Sequence, residues 1–379
     1  MSAGARMAAE MGQQPEVLQR LIGRADRVAQ TVRALAPALL HGTTIVARGS
    51  SDHASVYGRY LLELASGRPV SLAAPSLHML YGARVDYSGQ LAIAVSQSGR
   101  TPEIVTTLRR LRAAGARGLA ITNDGTSDLA DAADAVLALE AGEELAVPAT
   151  KTVTAQLLAF ALLARGLGAQ ETAGAVAGGA TAGDATAGGA AAGDAAAGDT
   201  AAAGGDGAVP FTDAQLAALP GAVRDVLGDP GPARAAAVRL AGDMRLVVTA
   251  RGLLYGAALE SALKLQETAA IAADAFSSAD LRHGPIAIVG EGFPVLALSA
   301  AGPAHEDVAE LVADLRQRGA RVLTVSTDGD ADLPLPSSGG EGLAPILAVV
   351  RAQQLARELA LLRSRDPDAP AGLRKVTVT

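Results

Sequence analysis

The 379-residue sequence predicts an α/β protein built from two tandem copies of one unit, each a parallel β-sheet with helices on both faces in a flavodoxin-like, doubly wound order. Three observations predict it. Apolar runs of strand length alternate with longer amphipathic stretches, the first half of the chain recurs in the second, and a low-complexity segment separates the two.

The alternation comes first. TTIVA is followed by a helix from about His53 to Ser66, then QLAIAVS, a helix from Pro102 to Ala114, and GLAIT. The second half repeats this with LVVTA, a helix from about Tyr255 to Ala269, PVLALS, a helix from His305 to Arg318, and VLTVS. Runs such as LAIAV have no polar face, so they belong in a sheet covered on both sides, which is the habit of parallel strands joined by helical crossovers. The recurrence is visible as fixed displacements. Ala47-Arg48-Gly49 returns as Ala250-Arg251-Gly252, and Ser96 and Gly99 return as Ser299 and Gly302, all shifted by 203 residues. Gly115-Ala116-Arg117 returns as Gly319-Ala320-Arg321, shifted by 204. Together these matches indicate a duplicated unit.

From about Glu171 to Gly207 the chain offers only Ala, Gly, Thr, Asp and other small residues, with no large side chain whose burial could offset the entropy of ordering. A weak Ala helix is the alternative, opposed by frequent Gly at about 1 kcal/mol each. The expected organisation is an amino-terminal helical segment at 1–24, a first domain at 25–170, a linker at 171–207, a second domain at 208–365 and a tail at 366–379 that folds onto the active site.

Composition narrows the function. A net charge of -7 gives no electrostatic footprint for nucleic acid or an anionic membrane. The chain has no cysteine, which excludes disulfides, thiolate metal sites and cysteine nucleophiles within it. No apolar leader core and no run of about 18 apolar residues is present, so a cytoplasmic protein is expected. His41, His53, His78 and His305 have no partner at ligand spacing, and neither a metal nor a cofactor is expected.

In open α/β sheets ligands bind beyond the carboxyl ends of the strands, which directs attention to two loops. One is Arg48-Gly49-Ser50-Ser51-Asp52. The other is Ser96-Gln97-Ser98-Gly99-Arg100-Thr101, just before a helix that Pro102 can open. Hydroxyls, an amide and helix N-terminal N–H groups suit a phosphate, with Arg48 and Arg100 available to add charge; the alternative is that Ser96, Ser98 and Thr101 only cap the helix. A third polar stretch, from Glu143 through Val147, Ala149 and Thr150 to Lys151, precedes another helix, where Thr150 and Lys151 either close over a ligand or form a solvated cap. In the second half, Glu260, Lys264 and Glu267 share one helical face at i, i+4 and i+7, a pattern found both in sites and in surface ion pairs. His283 follows in a short polar loop before Gly284-Pro285, where a histidine could exchange protons near neutral pH. Near the end, Lys375 could fold back onto a site.

These segments together resemble the tandem sugar isomerase (SIS) domain proteins that act on hexosamine phosphates. The likeness is to class II glucosamine-6-phosphate deaminases and to the isomerase half of glutamine-dependent glucosamine-6-phosphate synthase. It rests on ARGSSDHA, SQSGRTPEI, AGEELAVPATK, ALESALKLQE, FSSADLRHGP and the terminal GLRKVT, with an entry helix around Met7 to Pro15. The resemblance implies that Ser96, Gln97, Ser98 and Thr101 hold a sugar phosphate, with Gly49, Ser50 and Ser51 lining the same pocket and Val147, Ala149, Thr150, Lys151 and Glu260 around the sugar. It implies that Glu267 moves a proton between C1 and C2 of the open-chain sugar, with Lys264 close by. It also implies that His283 opens the sugar ring from the neighbouring subunit of a homodimer, and that Lys375 meets the open-chain carbonyl. Ala149 stands where the synthase has a small hydroxyl residue, which puts one sugar contact in doubt.

The synthase draws ammonia from a glutaminase domain with a cysteine nucleophile, and these residues contain neither. Deamination with isomerisation, from glucosamine 6-phosphate and water to fructose 6-phosphate and ammonia, is therefore expected over glutamine-dependent synthesis. Galactosamine 6-phosphate, a fructosamine phosphate, or non-catalytic sugar-phosphate sensing are the alternatives.

Overall fold

The computed structural model describes residues 2–178 and 209–375, with side chains placed through residue 168 in the first stretch. Three helices, α1 (Ala5–Gly12), α2 (Gln14–Ile22) and α3 (Ala25–Leu35), lead into the first sheet. The first unit then runs β1 (Gly42–Val46), α4 (Ser50–Ser66), β2 (Val70–Leu72), α5 (Pro75–Met79), β3 (Gln90–Val95), α6 (Pro102–Ala113), β4 (Arg117–Thr122), α7 (Asp128–Asp131), β5 (Ala135–Ala138) and the long α8 (Lys151–Gly178). The second runs α9 (Asp213–Gly228), α10 (Gly231–Leu240), β6 (Arg245–Ala250), α11 (Tyr255–Ala269), β7 (Ala272–Ser277), α12 (Ser278–Arg282), β8 (Pro294–Leu298), α13 (His305–Gln317), β9 (Arg321–Ser326), β10 (Leu333–Pro334) and α14 (Gly340–Leu362).

Both sheets are five-stranded and every strand pair is parallel. The first has the order β2-β1-β3-β4-β5, and the second, read from β7, has β7-β6-β8-β9-β10. These are the same topology, and the displacement seen in the sequence falls on equivalent points: Gly49 after β1 and Gly252 after β6 both take φ of 59°. That left-handed conformation turns the chain sharply from strand to helix and is the reason glycine stands at both positions.

The central strands bury nearly every residue, as the apolar runs required; Ala92, Ile93, Ala94 and Val95 are fully enclosed. The sequence pattern located three strands per unit. The strands it passed over, β2, β5, β7 and β10, are edge or near-edge elements that are short or half-exposed, so they lack a sustained apolar run. Two further differences concern helices. α4 starts at Ser50 rather than His53, placing Ser50, Ser51 and Asp52 in its first turn. Asp280, Leu281 and Arg282, expected as part of a polar loop, belong to the short helix α12, which starts where the Ser277 hydroxyl accepts the Asp280 N–H.

α8 continues to Gly178, so the first residues of the expected linker are helical; the rest of it, 179–207, lies outside the described residues, as do Val376 to Thr379. α4, α8, α11 and α14 pack into a shared core that joins both units, with Leu61, Leu158, Leu265 and Leu347 in one continuous apolar cluster. Close helix approach is enforced by glycines. A Cβ on Gly256 of α11 would lie 2.6 Å from the His53 carbonyl of α4. Across the same seam the Tyr57 hydroxyl donates to the Gly342 carbonyl at 2.7 Å. Among the described residues no helix is long and apolar enough to cross a membrane.

Candidate active site

A cavity of about 350 Å³ opens at the carboxyl ends of β1 and β3, where the strand order reverses. Its lining joins four parts of the chain: the two loops of the first unit, Val147 and Ala149 ahead of α8, the α11 carboxylate Glu267 of the second unit, and Leu373, Arg374 and Lys375 of the tail. Its volume lies within the range of small-ligand pockets.

The phosphate-type cradle is formed by Gly49, Ser50 and Ser51 at the start of α4 and by Ser96, Gln97, Ser98 and Thr101 before α6, all of which line the cavity. No side chain caps either helix. The capping alternative therefore fails for Thr101, and both helix N-termini face the cavity, where backbone N–H groups and the helix dipole favour an anion. The hydroxyls shape the loop: Ser96 Oγ accepts the Gly99 N–H at 3.2 Å and lies 3.4 Å from Thr101 Oγ1, and Ser98 Oγ accepts the Arg100 N–H at 3.3 Å. Gly99 has φ of 63° and packs so tightly on Ser127 and Thr122 that a side chain there would collide with them.

The two arginines do not serve as free cations. Arg48 borders the cavity but pairs with Glu103 at 3.0 Å, and Arg100 points outward to Asp124 at 3.3 Å. Nearby carboxylates have taken both guanidinium groups, so the cradle itself is lined by hydroxyls, the Gln97 amide and backbone.

On α11, Glu260, Lys264 and Glu267 do lie along one face, buried in the seam between units rather than on the surface. Lys264 Nζ is 2.5 Å from Glu267 Oε2 and 3.3 Å from Glu260 Oε1; Glu260 and Lys264 are each 1% exposed and Glu267 is 20% exposed toward the cavity. Burial alone would lower the Lys264 ammonium, but the attraction of Glu260 and Glu267 outweighs it and holds the ammonium above its usual value. Burial likewise opposes ionisation of Glu260, yet Lys264 and His53 keep it below the usual carboxylate range. Glu260 sits behind Glu267 and does not line the cavity.

Thr150 and Lys151 are not in the cavity wall; Val147 and Ala149 of the same loop are. Both polar residues are consumed internally. The Thr150 N–H donates to Glu144 Oε1 at 3.0 Å, and Lys151 Nζ donates to Gln13 Oε1 at 2.6 Å and to the Glu143 carbonyl at 2.5 Å, with Lys151 buried. The residue that organises this loop is one the sequence reading passed over. Glu144, fully enclosed, accepts from Thr150, Thr152 and Lys375, whose Nζ lies 2.8 Å from Oε2. Burial would raise its carboxyl, but the Lys375 charge and these donors hold it below the usual value. An acidic residue preceding a helix was the available signal.

The tail is fixed from the other side. The Asp368 carbonyl accepts the Val147 N–H at 3.0 Å, while its carboxylate accepts from the N–H groups of Arg6 and Met7 at the start of α1. Glu10 of α1 in turn accepts the Leu145 N–H at 2.5 Å. Lys375 thus reaches the cavity wall on a braced segment. His283 ends α12, is exposed, and does not line the cavity of its own chain.

A doubly wound pair of α/β units with an anion cradle at one switch point defines the class. Within it, the SIS domain profile matches residues 43–165 and 239–334, and the chain belongs to the SIS domain family. It is 32% identical over 389 residues to a glutamine–fructose-6-phosphate aminotransferase (isomerizing) of Thermus thermophilus, covering 98% of this chain and 58% of that protein. It is 34% identical to the same-named protein of Symbiobacterium thermophilum, covering 98% and 59%. The chain therefore spans less than two thirds of these relatives. Among solved structures, a protein provisionally named a phosphosugar isomerase from Silicibacter pomeroyi DSS-3 superposes with TM-score 0.76 at 30% identity, covering 96% of this chain and 99% of that one. The glucosamine-6-phosphate deaminase of Thermotoga maritima shares the fold, with TM-score 0.67 at 20% identity over 97% and 100% of the two chains.

Proposed function

We propose that this chain is a cytoplasmic amino-sugar-phosphate deaminase that isomerises its substrate, converting glucosamine 6-phosphate and water to fructose 6-phosphate and ammonia. The observation that carries the proposal is one cavity with an uncapped hydroxyl and amide cradle at one end and the Glu267 carboxylate, held by Lys264, at the other. Such a site can grip a phosphate while a carboxylate shuttles a proton between neighbouring carbons.

In the open-chain aldehyde, Glu267 removes the proton at C2 and returns it to C1, passing through an enolamine and leaving an imine at C2. Addition of water and loss of ammonia gives the ketose. Lys264 holds the Glu267 carboxylate in place for the first transfer, and Lys375 approaches the C1 oxygen. Ring opening needs an acid–base group, which the exposed His283 of a second copy supplies in a homodimer. No step calls for a metal or cofactor. The relatives' names support the substrate class; the choice of deamination rests on the ARGSSDHA and SQSGR loops.

A second reading, isomerisation of another sugar phosphate, is favoured by the Silicibacter pomeroyi structure, a match with near-complete coverage of both chains at 30% identity. Ammonia release from a panel of amino-sugar 6-phosphates decides. Release from glucosamine 6-phosphate supports deamination; ketose–aldose conversion without ammonia moves the assignment to isomerase; binding without either indicates a sensor.

A further inference from the structure

Glu260 lies too deep to touch a ligand, yet it is one of two carboxylates competing for Lys264. Where the ammonium rests between Glu260 and Glu267 depends on what fixes Glu260. That residue is His53, on α4 of the other unit: its Nδ1 lies 2.9 Å from Glu260 Oε2. Glu260 Oε1 is near enough to Lys264 for an ion pair but finds no aligned donor among the described residues, so the carboxylate is held from the first unit's side. The contact exists because Gly256 lets α11 approach the His53 backbone.

We propose that His53 is a positioning residue for the reaction, acting through Glu260 and Lys264 to set the Glu267 carboxylate across the seam between the units. It makes no contact with the cavity itself. Buried charge pairs depend on geometry, and removing one member leaves the other uncompensated. Without His53, Glu260 draws the ammonium inward and Glu267 loses its partner. The proposal rests on the function given above for its kinetic consequence, but its structural half can be tested without turnover.

The experiment compares wild type, His53→Ala and His53→Asn, since an Asn amide nitrogen can stand near the Nδ1 position. In ligand-free protein the Lys264 side-chain ammonium is followed by nitrogen NMR, its signal identified by its loss in Lys264→Met. kcat and KM for ammonia release are measured in parallel. His53→Ala is expected to shift the Lys264 signal and to lower kcat by up to about 100-fold with KM little changed, as expected for a displaced catalytic group; His53→Asn should restore most of both. An unshifted Lys264 signal in folded His53→Ala overturns the proposal, as does a shifted signal with kcat intact. If wild type releases no ammonia from any substrate, the functional reading falls while the Lys264 signal still decides whether His53 sets the cluster.

Discussion

The two units share a strand order and a glycine turn with the same φ, but only one presents an anion cradle. Where the first has Ser50, Ser51, Gln97, Ser98 and Thr101, the second has, 203 residues on, Leu253, Leu254, Ala300, Ala301 and Ala304. The hydroxyls and the amide are gone, and the space is taken by a side chain: Glu341, in the first turn of α14, lies against both loops, so that a Cβ on Gly302 would collide with its carboxylate and one on Gly252 would lie 3.5 Å from it. Topology thus supplies the place and side chains decide its use. Among the described residues the duplicated fold has one open cradle, and the second unit contributes its α11 carboxylate to the first unit's pocket.

The comparison breaks most sharply at Glu267, the second unit's contribution. Glu267→Gln should lower kcat about 10²–10⁴-fold, the range for a lost general base, while substrate still binds; stopped-flow or coupled ammonia assays check this, and an active variant would return the site wholly to the first unit. A smaller effect follows from making the first cradle resemble the second. Ser98→Ala or Thr101→Ala, matching Ala301 and Ala304, should weaken sugar-phosphate binding about tenfold or more, the value of one hydrogen bond to a charged group. Calorimetric titration with fructose 6-phosphate measures it, and unchanged affinity would show that the backbone alone holds the phosphate.

Stability separates the cradles next. Burial pushes the Glu341 carboxyl above its unfolded value of 4.5, only partly opposed by the Ala304 N–H and by His305. A raised folded pKa favours the protonated form on folding, so its stabilising contribution is complete below pH 4.5 and is lost as pH rises through the folded value. Glu341→Gln should therefore raise Tm near neutral pH by about 2 °C, corresponding to roughly 0.5–1 kcal/mol, and the gain should vanish in acid. Glu144 and Glu260 have the opposite sign: their lowered values stabilise above the unfolded pKa, and that contribution is lost as pH falls through the folded values. The smallest effect is expected between the units. Excising residues 185–200 should leave kcat/KM nearly unchanged, because that stretch carries only Ala, Gly, Thr and Asp and has no large side chain to lend to the cavity.

The central strands and crossover helices were legible because burial on both faces demands unbroken apolar runs, and the cradle was legible because its residues follow those runs directly. The α11 triplet was legible as a face, but its burial was not: spacing alone cannot distinguish a seam between units from solvent. Lys151 and Arg48 misled for a related reason, since a cation's availability depends on carboxylates and carbonyls brought near by the fold. Glu144 and His53 owe their importance to partners far along the chain, Lys375 and Glu260, at separations of 231 and 207 residues, beyond any local pattern.

The brace between α1 and the tail bears on synthesis. The Met7 N–H and the Asp368 carboxylate that accepts it are 361 residues apart, which at roughly 5–20 residues per second is about 20–70 s of translation. The first unit can pack its sheet while still tethered to the ribosome, but its pocket gains Glu267 and then Leu373, Arg374 and Lys375 only as those residues emerge. A nascent chain would hold an open, unlatched cradle until Asp368 and Lys375 reach α1 and the Glu144 loop.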